Sequence, residues 1–283
     1  MYSKLSFGMK DVCQLLGVSS STIRIYERFL TRRQYEVLDS GHRKLTGASF
    51  AQLYDLRSMS RMGLSIKEAV ETCQANNTET RIQMCVKGEQ RLMMQLQYLK
   101  AVLHEIREVK SCFNMLGPIN ANFALKTVPG FFYLECERDG KLLDDPDEAN
   151  LVKAWAAKIP AVYYINRDVM EDPNGSEWSY RVGLAISDEN ASLVPIDHKA
   201  VIYVPARTCV TGVIVDENSE SLSCSDYRFS GKCLSYAMDY LRKNNLKLAD
   251  QVFHRMVGSM LTVKDAKGRT LTGDLWYGIY PVE

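Results

Sequence analysis

The sequence predicts an α+β protein in three successive parts: an N-terminal winged helix-turn-helix, a long coiled-coil helix, and a C-terminal domain in which a duplicated β-α-β-β unit makes an antiparallel sheet. Three observations lead there. Within residues 12–27 an apolar helical pattern breaks at Gly17 and restarts on serine; from about Thr80 to Phe113 a proline-free stretch keeps its apolar residues on one narrow stripe; beyond Gly117-Pro118 the composition turns β-branched and aromatic. The expected divisions are 1–75, 76–117 and 118–283.

Val12, Leu15, Leu16 and Val18 fall at helical spacing, Gly17 supplies a tight reversal, and Ser19 or Ser20 can accept a hydrogen bond from the amides that open the next helix. Ile23 and Tyr26 then face the first helix, leaving Ser21, Thr22 and Arg24 outward. Short hydroxyls and a guanidinium on an exposed helix are groups that meet phosphates and base edges in a major groove. Ser40-Gly41 marks a turn between two short extended runs, which predicts a two-stranded ribbon carrying Arg32, Arg33, Arg43 and Lys44. A third helix over FAQLYDLRSMSRMGL sets Phe50, Leu53, Leu56 and Met59 on one side and leaves Arg57 and Arg61 to solvent. SIKEAVETC forms a fourth, capped by Ser65 with Glu68 completing a capping box. Residues 1–70 hold 11 Lys or Arg against 6 Asp or Glu, a local charge of +5 in a chain of net +1. Positive charge is concentrated where the motif lies, as phosphate contacts require.

GVSSSTIRIYE, GHRKL and RMGLSIKEAV, in that order and at these separations, resemble the DNA-binding domain of the MerR family of bacterial transcription regulators, over roughly residues 5–75. The resemblance implies that Thr22, Arg24 and Tyr26 lie on the recognition helix, Arg43 and Lys44 on the wing, and Arg61 near phosphates at the end of the third helix. It also implies double-stranded promoter DNA and RNA polymerase at that promoter as partners. The chain departs from the family at Ser21, often an arginine; at Ile25, often a tyrosine; and at Leu45, where the wing usually ends in an aromatic residue. One charge and two phosphate-facing groups are lost, so a weaker grip is expected.

Along the predicted rod, Ile82, Cys85, Leu92, Leu96, Leu99, Leu103, Ile106 and Phe113 follow steps of three and four, or of a full heptad. Such a helix cannot bury its seam alone. The charges around it, including Lys87, Arg91, Lys100, Glu105, Arg107, Glu108 and Lys110, call for a protein surface rather than a membrane. That surface is either a partner helix or the chain's own C-terminal domain. A partner helix makes this a coiled-coil dimerisation helix in a homodimer, antiparallel by the family resemblance, with two recognition helices on a pseudo-palindromic operator. Gly88 interrupts the helix for no reason visible in the sequence.

Residues 121–283 hold 18 Lys or Arg against 23 Asp or Glu, a charge of −5. The expected order is strand (124–137), helix (147–158), strands (162–167 and 179–187), then strand (199–215), helix (231–244), strands (252–263 and 272–282). A duplication of this kind places both helices on one face of a sheet and leaves the other face or the central seam free for a ligand. DYRFSGKCL, ADQVFHRM and LWYGIYPV resemble segments of the gyrase-inhibitor-like effector-binding domain of multidrug-sensing MerR regulators. The resemblance implies a cavity that takes up a small aromatic effector through ring contacts, with Trp155, Tyr164, Trp178, Tyr180, Tyr203, Phe253, Trp276 and Tyr277 as candidates. His254 stands where drug-binding members keep a buried glutamate, and Tyr277 where they keep a second one. Without those carboxylates the expected ligands are neutral or weakly anionic aromatics, or cations held by rings alone, with His254 able to donate or accept. The alternative for His254 is an exposed position on an edge strand.

At 283 residues and 46% hydrophobic, the chain is long and apolar enough for two domains and a connector. No stretch approaches a membrane span and the first residues lack a signal-peptide core, so a cytoplasmic location without membrane association is expected. The eight cysteines form no CxxC pair, and no second cysteine follows Cys112 closely enough for a metal loop. Neither a metal nor another cofactor is expected. Two competing functions remain: a thiol-based redox regulator on the same scaffold, and a hydrolase using Cys136, Cys209, Cys233 or His254. No motif holds cysteine, histidine and acid together, which favours a ligand-responsive regulator, most simply an activator, over an enzyme.

Overall fold

A computed structural model describes residues 6–30, 35–37, 43–75, 77–115, 122–138, 141–142, 145–170, 178–216, 231–249, 251–264 and 269–283, with the side chains of 138, 178 and 231–235 excepted. Arg32, Arg33, Ser40-Gly41, Gly117-Pro118, residues 226–230 and Cys224 lie outside them, as do the side chains of Trp178 and Cys233. Contacts divide the chain into two compact units, Met1–Leu96 and Gln97–Glu283. The boundary falls inside one long helix.

In the first unit, strand β1 (Ser6–Phe7) leads into helices α1 (Met9–Leu16) and α2 (Ser20–Glu27); strands β2 (Tyr35–Val37) and β3 (Arg43–Thr46) follow, then α3 (Gly47–Arg61), α4 (Ile66–Gln74) and the first part of α5 (Thr78–Asn114). Gly17 takes φ 59°, a left-handed conformation open to glycine, and ends α1 with its N–H turned back onto the carbonyls of Cys13 and Gln14. Ser19, rather than Ser20, caps α2 by accepting from the Thr22 amide. The expected ribbon has a third strand, because β1 pairs with β3 through Phe7 and Leu45. Val12, Leu16, Ile23, Tyr26, Leu45, Leu53 and Leu56 form the core. Leu15, expected on the apolar face of α1, is exposed instead, since positions 12 and 16 already span the contact.

The capping box of α4 forms as expected. The Ser65 side chain accepts from the Glu68 amide, and the Glu68 carboxylate accepts from the Ser65 amide at 2.9 Å. Arg91 and Lys87, from α5, bind the same carboxylate. Gly88 now has a reason. A Cβ there would fall on the backbone oxygen of Met62, so glycine is what lets α5 cross the turn after α3.

The second unit holds the end of α5, then β4 (Ala124–Val128), β5 (Phe131–Glu135), the short pair β6 (Glu137–Arg138) and β7 (Lys141–Leu142), α6 (Pro146–Ala156), β8 (Tyr163–Met170), β9 (Trp178–Ser187), a 3-10 turn (Asp188–Leu193), β10 (Val201–Val204), β11 (Arg207–Asp216), α7 (Gly231–Lys243), β12 (Gln251–Lys264) and β13 (Thr270–Pro281). Each strand expected over 124–137 and 199–215 divides into two, at Pro129-Gly130 and at Pro205, where the missing amide ends the ladder. Eight strands make one antiparallel sheet in the order β10-β5-β9-β8-β12-β13-β11-β4. That order is the same from either end once β4 is matched with β10, β5 with β11, β8 with β12 and β9 with β13. The duplication is therefore a pseudo-twofold about the β8/β12 seam, and each repeat lends its first strand to the other's edge.

The pairing register fixes the faces, because residues directly opposite point to the same side. Leu134 and Leu184 pack under Trp155 and Leu151 of α6, while Val210, Ile214 and Tyr280 pack under Ala237 and Leu241 of α7. Both helices thus cover one face. The opposite face buries Tyr133, Ile165, Phe253 and Ile279, and receives Cys112 of α5 against Val213, Val215 and Leu275. Ala101, Glu105 and Cys112 are buried there, so α5 has a second stripe that the sequence reading missed. The seam residues from Leu92 to Phe113 remain exposed beside it.

Candidate functional site

On the first unit, α2 and the ribbon present a polar, cationic surface. Ser21 and Arg24 are exposed and Thr22 is half-buried, its hydroxyl 2.9 Å from that of Ser19. Arg43 is exposed with its guanidinium 5.9 Å from the Tyr35 ring centre, Lys44 is half-buried, and Arg61 is exposed at the end of α3. Among the described residues none of Arg24, Arg43, Lys44 or Arg61 is neutralised by a carboxylate. Tyr26 departs from the expected set. It is 3% exposed, packed in the core, with its hydroxyl 3.4 Å from Ser60 Oγ, so it holds α2 against α3 and offers no face to a groove. Ile25, next to it, is the exposed one.

On the second unit the candidate aromatics do not form one lining. Trp155 is fully buried under α6 and donates its Nε1–H to the Pro195 carbonyl at 2.9 Å, which makes it core. Tyr203 lies on the edge strand β10, against Phe132, and donates to Asp188. Phe253 is buried between Phe131 and Tyr133 on the face opposite α6 and α7, and Tyr277 shares that face, half-buried. Tyr164, Tyr180, His254 and Trp276 do share the helix-bearing face, with the Tyr164 and Trp276 rings 6.1 Å apart. Trp178 stands at the start of β9.

His254 is not on an edge. It lies on β12, an inner strand, fully buried, with Nδ1 3.2 Å from Asp168 and Nε2 3.1 Å from the Tyr280 hydroxyl. A carboxylate does stand at the seam, therefore, but on β8 and bound to a histidine. Asn166, opposite His254 in the ladder, is fully buried, and no hydrogen bond to a described group reaches its amide.

Where β8 and β12 part, a cleft of about 560 Å³ opens against the end of α5, within the ~300–1,000 Å³ typical of small-molecule sites. Ile106, Val109 and Phe113 of α5, Pro160 and Tyr163 at the entry to β8, and Val257 of β12 line it, with Met256 and Tyr164 also reaching it. Arg255 crosses it, bonded to Glu105 and lying 4.0 Å over the Tyr163 ring. Burial pushes the Glu105 carboxyl up, and Arg255 works against that push. Of the aromatics singled out from sequence whose side chains are described, Tyr164 alone lines this cleft. Its lining is mainly aliphatic and comes from three distant segments, which no local motif announces.

Burial disfavours the thiolate form at four cysteines, while Cys85 is exposed. Burial raises Cys112, Cys136 and Cys209 to about 11, and burial with Asp55 nearby raises Cys73 to about 12. No helix among the described residues is long and apolar enough to cross a membrane.

No family model matches the chain, and no curated protein does. Among solved structures it is similar to a cryo-EM structure of an EcmrR–DNA complex in EcmrR-RPo, at 16% identity over 97% of this chain and 98% of that one, with a TM-score of 0.33. It is similar to HiNmlR, described as a MerR family regulator lacking the sensor domain and bound to promoter DNA, at 17% identity over 39% of this chain and 88% of the other, with a TM-score of 0.34. The EcmrR C-terminal domain matches at 15% identity over 57% of this chain and 96% of that one, also at 0.34. Overlaps this loose carry no argument about what this chain does.

Proposed function

We propose that the protein is a MerR-type transcription regulator that binds promoter DNA as a homodimer and responds to a lipophilic aromatic ligand by distorting that DNA. The observation that carries the reading is the α1-Gly17-α2 pair, whose Ser19-capped second helix turns Ser21, Thr22 and Arg24 away from a core built on Ile23 and Tyr26. With Arg43 and Lys44 on the adjoining ribbon, this is the layout of a winged helix-turn-helix, with the cations arranged for phosphates. Residues 1–75 are the reader, 76–117 the dimerisation helix and 118–283 the effector domain. RNA polymerase at the same promoter is the downstream partner, and activation the expected direction. The energy for the switch comes from unequal ligand affinity for two DNA-bound states.

The uncovered seam from Leu92 to Leu103 supports the dimer, since an apolar stripe of this length on a helix needs a partner. The competing readings lose ground on chemistry. Burial holds Cys112 and Cys209 in the neutral form, which disfavours peroxide chemistry there and leaves the exposed Cys85 to carry any redox reading, and His254 meets the Tyr280 hydroxyl rather than one of the cysteines named for a hydrolase. Selection of bound duplexes from a random pool, followed by transcription from the selected site, tests the proposal. A palindromic site overlapping a promoter supports it; no retention of any duplex at low ionic strength overturns it.

A further inference from the structure

We infer that the cleft between α5, β8 and β12 is a binding site for a lipophilic anion, an aryl or alkyl chain ending in one acidic group. This deepens the effector reading by naming the ligand's charge, and it stands apart from the DNA-binding reading.

The walls supply the apolar part. Ile106, Val109, Phe113, Pro160 and Met256 offer aliphatic and aromatic carbon around about 560 Å³, enough for a bicyclic ring system or a folded chain of similar volume. The charge argument rests on three side chains. Glu105, the one acid in the lining, is occupied by Arg255, whose guanidinium also lies on the Tyr163 ring. The Arg255 Nε–H is buried with no hydrogen-bond partner among the described residues, so this cation has a donor to give. Lys110, one turn and a half beyond Glu105, is exposed at the mouth, and no described carboxylate lies within ion-pair distance of it. Glu108 lies near enough to act electrostatically on Glu105, but it is exposed and outside the lining. A cationic ligand would meet Lys110 at the mouth and a guanidinium across the cleft, with the single acid already bound. An anion meets a free ammonium at the point where its head group remains hydrated, while its body displaces water from carbon.

The test compares two fluorophores with nearly the same aromatic body, anionic 1-anilinonaphthalene-8-sulfonate and neutral N-phenyl-1-naphthylamine, titrated into the full-length protein. Wild type is expected to bind the sulfonate more tightly. Lys110→Glu, on an exposed position, is expected to weaken the sulfonate about tenfold and leave the neutral probe within about twofold. Val109→Trp, which adds bulk on the α5 side of the cleft, is expected to abolish both while the melting midpoint persists. Equal affinity of the two probes for wild type, no response to Lys110→Glu, or sulfonate binding that survives Val109→Trp overturns the inference. None of these results depends on DNA binding, so failure here leaves the regulator reading standing.

Discussion

Gly63 and Gly88 face each other across the crossing of α5 with the end of α3, so closely that a Cβ on Gly63 would stand 2.7 Å from the Gly88 carbonyl oxygen. Gly63 also holds φ 85°, a conformation side chains rarely adopt, so the turn and the crossing rely on the same missing atoms. In an isolated helix, Gly88→Ala would stabilise by about 0.5–1 kcal/mol. Here the added methyl meets backbone that cannot step aside, at a cost of about 1–3 kcal/mol or more. The net expected change is a lower melting midpoint, with Glu89→Ala, one residue on and exposed, as the neutral control. A Gly88→Ala protein that melts at or above wild type would show that the crossing is looser than this.

Glu68 carries a pH dependence of defined sign. Arg91, then Lys87, then the Ser65 amide and hydroxyl hold its carboxylate well below its ordinary value of 4.5. A depressed folded value means stability that is fully present above the unfolded value and is lost as pH falls through the folded one. Glu68→Gln should therefore lower the melting midpoint at pH 7, and the gap from wild type should narrow progressively as pH drops below 4.5. A gap that stays constant down to pH 2.5 would assign the effect to packing rather than charge.

What the sequence disclosed, and what it hid, follows the range of the interactions involved. Gly17, Ser19 and the Ser65–Glu68 box act within one turn of chain, so their residue types alone reveal them. Each of the two divided strands looks continuous in sequence because apolar residues run on both sides of Pro129-Gly130 and Pro205, while the ladder stops there. The exchange of β4 and β10 between repeats pairs strands far apart in the chain, Val201 with Leu134 and Arg207 with Val128 among them, and leaves no local trace. The second stripe of α5 escaped notice because Glu105, a charged residue, stands in it and is buried only by virtue of Arg255. Large rings drew attention to Trp155 and Phe253, which are core, while the cleft is lined mainly by aliphatic side chains.

The exposed seam of α5 gives a prediction about assembly. Leu99 and Leu103 are 56% and 52% exposed in the single chain, although each is a large apolar residue at helical spacing from Leu96 and Ile106. Burying one such side chain contributes about 1.5–3 kcal/mol, and a charge in its place would have to be desolvated as well. Leu99→Asp with Leu103→Asp should leave each unit folded, because neither side chain is buried within the chain, and lower the apparent melting midpoint only by what dimerisation contributes. Sedimentation should then report a monomer where wild type reports a dimer. If wild type sediments as a monomer at micromolar concentration, or the double variant as a dimer, the seam is not the interface.

The contrast between Arg24 and Tyr26 tests the reader itself, since the two lie on the same helix but face opposite ways. Arg24→Ala removes an exposed guanidinium and should weaken a selected duplex by about 1–3 kcal/mol, roughly 5- to 150-fold, with no loss of folding. If the contact is to phosphate, the loss is uniform across sequences and the slope of log affinity against log salt falls by about one; if it is to a base, specificity relaxes at one position. Tyr26→Phe deletes a hydroxyl that meets Ser60 at 3.4 Å inside the core, a long bond worth at most about 1 kcal/mol, and should leave duplex affinity within about twofold. Equal losses from both variants would mean that α2 is rotated from the orientation described, and that Tyr26 reaches DNA after all.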